Sequence, residues 1–157
     1  MDYIIRPIRK YEYPLLKDFI YEAIFIPEGV EPPPRSIIEN DDIQVYIKDF
    51  GDSRHDRCFV AEADGKVVGA VWVRIMDDYG HVDDNTPSFA ISLYKEYRGK
   101  GIGTKLMQTM LMTLRENGYK QASLAVQKAN YAVKMYLAVG FEIVDENNEE
   151  YIMIARL

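Results

Sequence analysis

One cysteine, Cys58, and two histidines, His55 and His81, are the only thiol and imidazole groups among the 157 residues. A lone cysteine forms no disulfide within the chain and no thiolate cluster for a metal. Cys58 opens the apolar run Phe59-Val60-Ala61 behind Arg57, and it reads as a buried, packed thiol rather than a nucleophile. The histidines lie in polar, turn-like stretches without H-E-x-x-H or any other ligand spacing, so no metal is expected. Basic blocks are missing too. Lys and Arg number 19 against 25 Asp and Glu, a formal net charge of −6. Sequence-independent binding to a phosphate backbone needs several cations on one face, so nucleic acid is not an expected partner. A cationic amine suits the balance better. No apolar run approaches the ~20 residues that span a bilayer. The first residues, Met1-Asp2-Tyr3-Ile4-Ile5-Arg6, carry neither a signal core nor a transit pattern. No membrane partner is expected, and the expected location is cytoplasmic.

What is present is enough apolar sequence for one domain, residues 1–157, with a real core. Tyr3 to Ile8 reads as a strand. Tyr11 to Ile26 reads as a helix with apolar residues at helical spacing and Pro14 in its first turn. Pro27-Glu28-Gly29 ends it, and Pro32-Pro33-Pro34 delays the next helix to Ser36. There Ser36 and Glu39 form a capping box ahead of the stripe Ile43, Tyr46, Ile47, Phe50. Strands Cys58 to Ala63 and Val67 to Met76 are joined by the hairpin signal Asp64-Gly65. After an acidic loop from Asp77 to Pro87 come a strand, Phe89 to Tyr94, and a long helix ending at Asn117 and Gly118. Strand Ser123 to Val126, helix Asn130 to Val139 and strands Phe141 to Val144 and Tyr151 to Ala155 complete the order. The order predicts an α/β (mixed α+β) domain with a mixed central sheet and helices on both faces.

The segment Leu93-Tyr94-Lys95-Glu96-Tyr97-Arg98-Gly99-Lys100-Gly101-Ile102-Gly103-Thr104 leaves a strand and enters the long helix with three glycines in five positions. Glycines let the backbone bend tightly and leave its N–H groups open. With the positive end of the helix dipole they suit an anionic phosphate, and Arg98 and Lys100 add charge. A P-loop would need a hydroxyl residue after Lys100, where Gly101 stands. A dinucleotide fingerprint would need a small sixth residue, but the count from Gly99 reaches Thr104 and from Gly101 reaches Leu106. The pattern met is [QR]-x-x-G-x-[GA], at Arg98, Gly101 and Gly103.

In this loop the chain resembles the GNAT superfamily of N-acetyltransferases. The stretch Asn130-Tyr131-Ala132-Val133-Lys134-Met135-Tyr136-Leu137-Ala138-Val139-Gly140-Phe141 is similar to a second signature of that family, with Met135 in place of the usual aromatic. The resemblance implies a GNAT-like fold with a mostly antiparallel sheet, acetyl-CoA as acyl donor, and a small-molecule or peptide amine as acceptor. It implies that Ile91, Ser92 and Leu93 bind the pantetheine arm and that the amides of Gly99, Lys100, Gly101, Ile102, Gly103 and Thr104 hold the pyrophosphate, beside Arg98. Asn130 has two compatible roles, a contact to acetyl-CoA by resemblance and a helix cap by residue type.

Tyr136 matches the family's frequent general acid, which protonates the departing thiolate. On residue pattern alone it is equally an aromatic on the apolar face of Ala132, Met135 and Val139. Many relatives carry a glutamate on the strand before the glycine loop, whereas Thr86-Pro87-Ser88-Phe89-Ala90-Ile91 has no carboxylate. Asp78, Asp83, Asp84 and Glu28 are candidates to act through water, against the reading of a solvated acidic loop. The loop Ile26 to Ser36 is expected to contact the acceptor. Trp72 and Arg74 share a strand face, either lining the acceptor cleft or packed at the sheet surface. The rival to an enzyme is a non-catalytic acyl-CoA-binding or sensor module of the same fold. A homodimer is compatible with the sequence, which offers no handle on its contact.

Overall fold

The computed structural model describes residues 2–157. Seven strands form one sheet in the order β1 (Ile4–Pro7), β2 (Arg57–Ala63), β3 (Lys66–Arg74), β4 (Ser88–Leu93), β5 (Gln121–Gln127), β7 (Glu150–Arg156), β6 (Phe141–Glu146). Every neighbouring pair is antiparallel except β4 and β5, which run parallel. Asp64 and Gly65 both take positive φ in the β2–β3 turn, as the Asp-Gly signal requires.

Period-two alternation divides the core between the two faces. On one face Cys58, Val60, Ala70 and Trp72 pack with Leu16, Phe19 and Ile20 of α1 (Leu16–Ala23). Cys58 is buried, and burial holds its thiol protonated, so the packed reading holds. On the other face Ala61, Val71, Val73 and Phe89 meet Leu106, Met107, Met110 and Leu114 of α3 (Ile102–Glu116), together with Tyr136 of α4 (Ala132–Ala138). Helices therefore flank both faces.

Two helical expectations are corrected. Residues 10–15 form a 3₁₀ turn that contains Pro14, and the α-helix starts only at Leu16. Proline has no N–H to donate and clashes with the preceding turn, so the regular ladder begins beyond it. The helix expected from Ser36 is also broken. A 3₁₀ turn spans Arg35–Glu39 after extended Pro34, α2 is only Asp41–Gln44, and turns follow to Gly51. No side-chain cap forms at either start, so the Ser36–Glu39 box is absent. The apolar stripe still works, because Ile43, Tyr46 and Ile47 pack against the α1-side core and Phe50 is buried in it. No helix among the described residues is long and apolar enough to cross a membrane.

Candidate active site

The parallel pair β4–β5 is where the sheet opens. The two strands share a single register pair, Ser88 with Ser123, and part beyond it. Backbone groups of successive strand residues point to opposite edges. Pro87 O accepts from Ser123 N at 2.9 Å toward β5, and Tyr94 N donates to Val68 O at 3.0 Å toward β3. Odd-numbered residues of β4 thus turn their amides toward β5. Once β5 has diverged, the N–H groups of Ile91 and Leu93 face an opening rather than a strand.

Ser92 differs from its two neighbours. Its backbone faces β3, opposite Ala70, and its buried Oγ donates to Phe19 O of α1 at 2.6 Å. Of the three residues expected to hold pantetheine, Ile91 and Leu93 present free backbone amides, while Ser92 ties β4 to α1.

Beyond β4 the glycine loop turns into α3. Gly99 and Gly101 have φ of +73° and +85°, a region costly for side-chain-bearing residues, and a Cβ on either would meet nothing within 4 Å. The surface above both glycines is open. Lys105 N is bonded to Gly101 O, while the amides of Ile102, Gly103 and Thr104 belong to the first turn, which has no intrahelical acceptor. Outward-facing donors at the positive end of a 15-residue helix fit a diphosphate. Gly103 serves packing as well. A Cβ there would lie 3.3 Å from Met135 Sδ, so the small residue lets α4 approach α3, and Met135 fills the space expected of an aromatic. Lys100 is exposed beside the loop.

Arg98 is turned inward. Its Nε donates to Leu93 O at 2.9 Å, and its Nη2 donates to Glu22 O at 3.3 Å and pairs with Glu22 Oε2 at 3.2 Å. The guanidinium clips the glycine loop to the end of β4 and to the last turn of α1. Sequence reasoning missed Glu22, which lies 76 residues from its partner.

Asn130 caps α4, since its Oδ1 accepts from Ala132 N at 2.9 Å. Tyr136 is buried against Phe141, ring centroids 6.1 Å apart, and Phe141 stands edge-on to Phe89 at 5.6 Å. Burial raises its hydroxyl pKa well above the ordinary phenol range, so it carries its proton at any physiological pH. Trp72 and Arg74 are structural. Trp72 is fully buried and donates to Tyr46 O at 3.0 Å, while Arg74 binds Asp56 and the carbonyls of Val45 and Lys48. Among the described residues, no group of three or more His, Cys, Asp or Glu could hold a metal ion.

A profile described as "Acetyltransferase (GNAT) family" matches residues 20–141, which span both motifs and the opening between β4 and β5. The chain belongs to the GNAT family of acetyltransferases. Among its relatives, the probable N-acetyltransferase camello of Xenopus tropicalis is 40% identical over 89 residues, 54% of this chain and 38% of its own length. The chain thus spans well under half of that relative. An uncharacterized N-acetyltransferase of Archaeoglobus fulgidus is 29% identical over 138 residues, 83% of this chain and 88% of that one. The fold is shared with the PaiA N-acetyltransferase of Thermoplasma acidophilum, solved in complex with coenzyme A, at a TM-score of 0.73 and 18% identity over all of both chains. An acetyltransferase of the GNAT family from Streptococcus pneumoniae superposes with a TM-score of 0.70 at 18% identity, covering 99% of this chain and 100% of that one.

Proposed function

We propose that residues 1–157 act as one acetyl-CoA-dependent N-acetyltransferase unit that acetylates a primary amine by direct attack on the thioester. The observation that carries this reading is the parting of β4 from β5 beside an open, glycine-built entrance to α3. The amides of Gly99 to Thr104 hold the donor's diphosphate, with Lys100 adding charge. The unpaired amides of Ile91 and Leu93 bind the extended arm, and an N–H in this row polarises the thioester carbonyl. Arg98 acts one step back, holding the loop and the Leu93 carbonyl in register. Asn130 caps α4 and keeps its amide nitrogen for the donor.

Tyr136 donates its proton to the departing thiolate. Burial keeps its hydroxyl protonated, so the acid form is the one present. The acceptor is an amine, small or peptidic, reaching the opening past the segment Ile26 to Ser36. That segment is tied to α1 by Tyr21 OH, which donates to Pro33 O at 2.6 Å, and by the Arg35–Asp18 pair. We infer a cytoplasmic reaction, a setting that suits the free, buried Cys58 thiol.

The test is release of free coenzyme A thiol from acetyl-CoA across a panel of amines, with acetyl-CoA, ATP and NAD compared as thermal stabilisers. Turnover with at least one amine and stabilisation by acetyl-CoA alone are expected. Stabilisation by acetyl-CoA without turnover on any amine would instead favour the acyl-CoA-binding module.

A further inference from the structure

An amine that arrives as ammonium must lose a proton before its lone pair can attack, and β4 itself contains no carboxylate. One reaches the strand from the preceding loop. Asp78 Oδ1 accepts from Ser88 Oγ at 3.0 Å, and its Oδ2 accepts from Tyr46 OH at 3.1 Å. Ser88 is the residue at which β4 makes its one pairing with β5, so this carboxylate stands at the apex of the opening. Ser88 alternates with Ala90 and Ser92, which face α1, and Tyr46 packs in the same core. On the other face the next residue, Phe89, leads through Phe141 to Tyr136. The carboxylate thus meets β4 at Ser88 on the α1 side, while on the other side the phenol lies one ring beyond Phe89, behind Phe141.

The loop is built to hold that position. Gly80 lies so close to β5 that a Cβ would come 3.1 Å from Ala125 N, and Ser123 Oγ donates to Gly80 O at 2.7 Å. The other loop acids are placed differently. Asp83 binds Thr86 Oγ1 and Asn85 N within its own turn, Asp84 is almost wholly exposed, and Glu28 is exposed beyond α1.

We propose that Asp78 is the general base, its carboxylate held between Ser88 and Tyr46 at the parting of β4 and β5 so as to take a proton from the acceptor's ammonium group. Resting on the acetyl-transfer reading, the step balances as follows. Asp78 takes one proton from nitrogen, the nitrogen lone pair forms the C–N bond, and the C–S bond breaks with its electron pair on sulfur. The proton from Tyr136 goes to that sulfur, and the second amine proton restores Tyr136. Asp78 then releases its own to solvent, one proton per turnover. Burial raises the Asp78 pKa above the usual aspartate range, against the opposing hydrogen bonds of Ser88 and Tyr46, which suits a base. The charged groups around this pair are Asp42 of α2 and Glu150 of β7, both of which act on Tyr46.

The test is Asp78→Asn, whose Oδ1 can keep one of the two accepted bonds while its Nδ2 donates to the other hydroxyl, assayed by thiol release with spermidine and an alanine-terminated peptide as probe amines. We expect kcat/KM to fall by about 10²-fold or more, with acetyl-CoA affinity unchanged by titration calorimetry. The loss should narrow as the pH rises past the probe amine's own pKa, because more of it arrives neutral. Tyr46→Phe, which leaves Asp78 held by Ser88 alone, should lower kcat/KM less than Asp78→Asn does and move the acidic limb of the profile to higher pH, since it removes a bond that favours the charged carboxylate. A loss that stays constant across pH, an unmoved limb in Tyr46→Phe, or native rates in Asp78→Asn would overturn the assignment while leaving acetyl transfer standing. No thiol release by the native protein with any amine would overturn both.

Discussion

Arg98 donates through Nε to the carbonyl oxygen of Leu93 at 2.9 Å, so the first residue of the glycine motif is fastened to the last residue of β4. The same guanidinium reaches Glu22 on α1, and three chain segments meet at one planar group. Arginine suits this place because its fork offers several fixed donors, which a lysine lacks. Arg98→Met should therefore raise the KM for acetyl-CoA several-fold and cost about 1 kcal/mol of stability, the pair being partly solvent-screened. Steady-state kinetics and a denaturant melt check this. A variant with unchanged KM would show that the clip does not position the loop.

Tyr136→Phe removes one oxygen and leaves the ring edge-on to Phe141. A positioned acid contributes about 10²–10⁴-fold in rate. The expected outcome is a kcat lowered within that range, with acetyl-CoA binding intact by calorimetry. Unaltered kcat would return Tyr136 to a packing role alone.

Ser92→Ala separates anchoring from donor binding. The hydroxyl serves the Phe19 carbonyl in a buried setting, and leaving a buried polar group without its partner costs about 1–3 kcal/mol. Stability should drop by that order while the KM for acetyl-CoA stays at the native value. A raised KM with unaltered stability would place Ser92 on the donor.

Glu12 is the acid-sensitive point of the fold. Its hydrogen bonds to the Arg6 guanidinium hold its carboxyl down at about 2, and Arg6 also binds Glu62. A carboxylate with a depressed folded pKa contributes stability that is complete above its unfolded value near 4.5 and is lost as pH falls toward about 2. Glu12→Gln should destabilise the protein by about 1–2 kcal/mol at neutral pH and flatten the fall in stability across that window. Chemical denaturation at stepped pH measures both effects. A parallel acid limb in native and variant would assign the sensitivity elsewhere.

The glycine loop, the succession of elements along the chain and the covering of both sheet faces by helices are legible because each rests on local chemistry. Gly101 and Gly103 announce a bend and a close approach, and period-two runs announce which side chains turn inward. Pro14 is visible too, but periodicity alone does not separate a 3₁₀ turn from the first turn of an α-helix, so the start of the regular helix at Leu16 is not. The stripe after Ser36 names the right core-facing residues and the wrong helix, since burial of Phe50 and partial burial of Ile43, Tyr46 and Ile47 need only the correct face of a chain of turns. Least legible were the contacts that join distant segments. Asp78 appears in the sequence as one acid in a polar loop, and only the folded sheet brings it to Ser88 and Tyr46. Arg98 reads as a phosphate-facing cation until α1 places Glu22 against it.

Residue-resolved NMR of the amide groups during titration with acetyl-CoA tests the central claim most directly. The account predicts that Gly99 to Thr104 shift most, with Ile91 and Leu93 following and Ser92 less affected. Shifts confined to residues outside the glycine loop and β4, or none at millimolar acetyl-CoA, would contradict it.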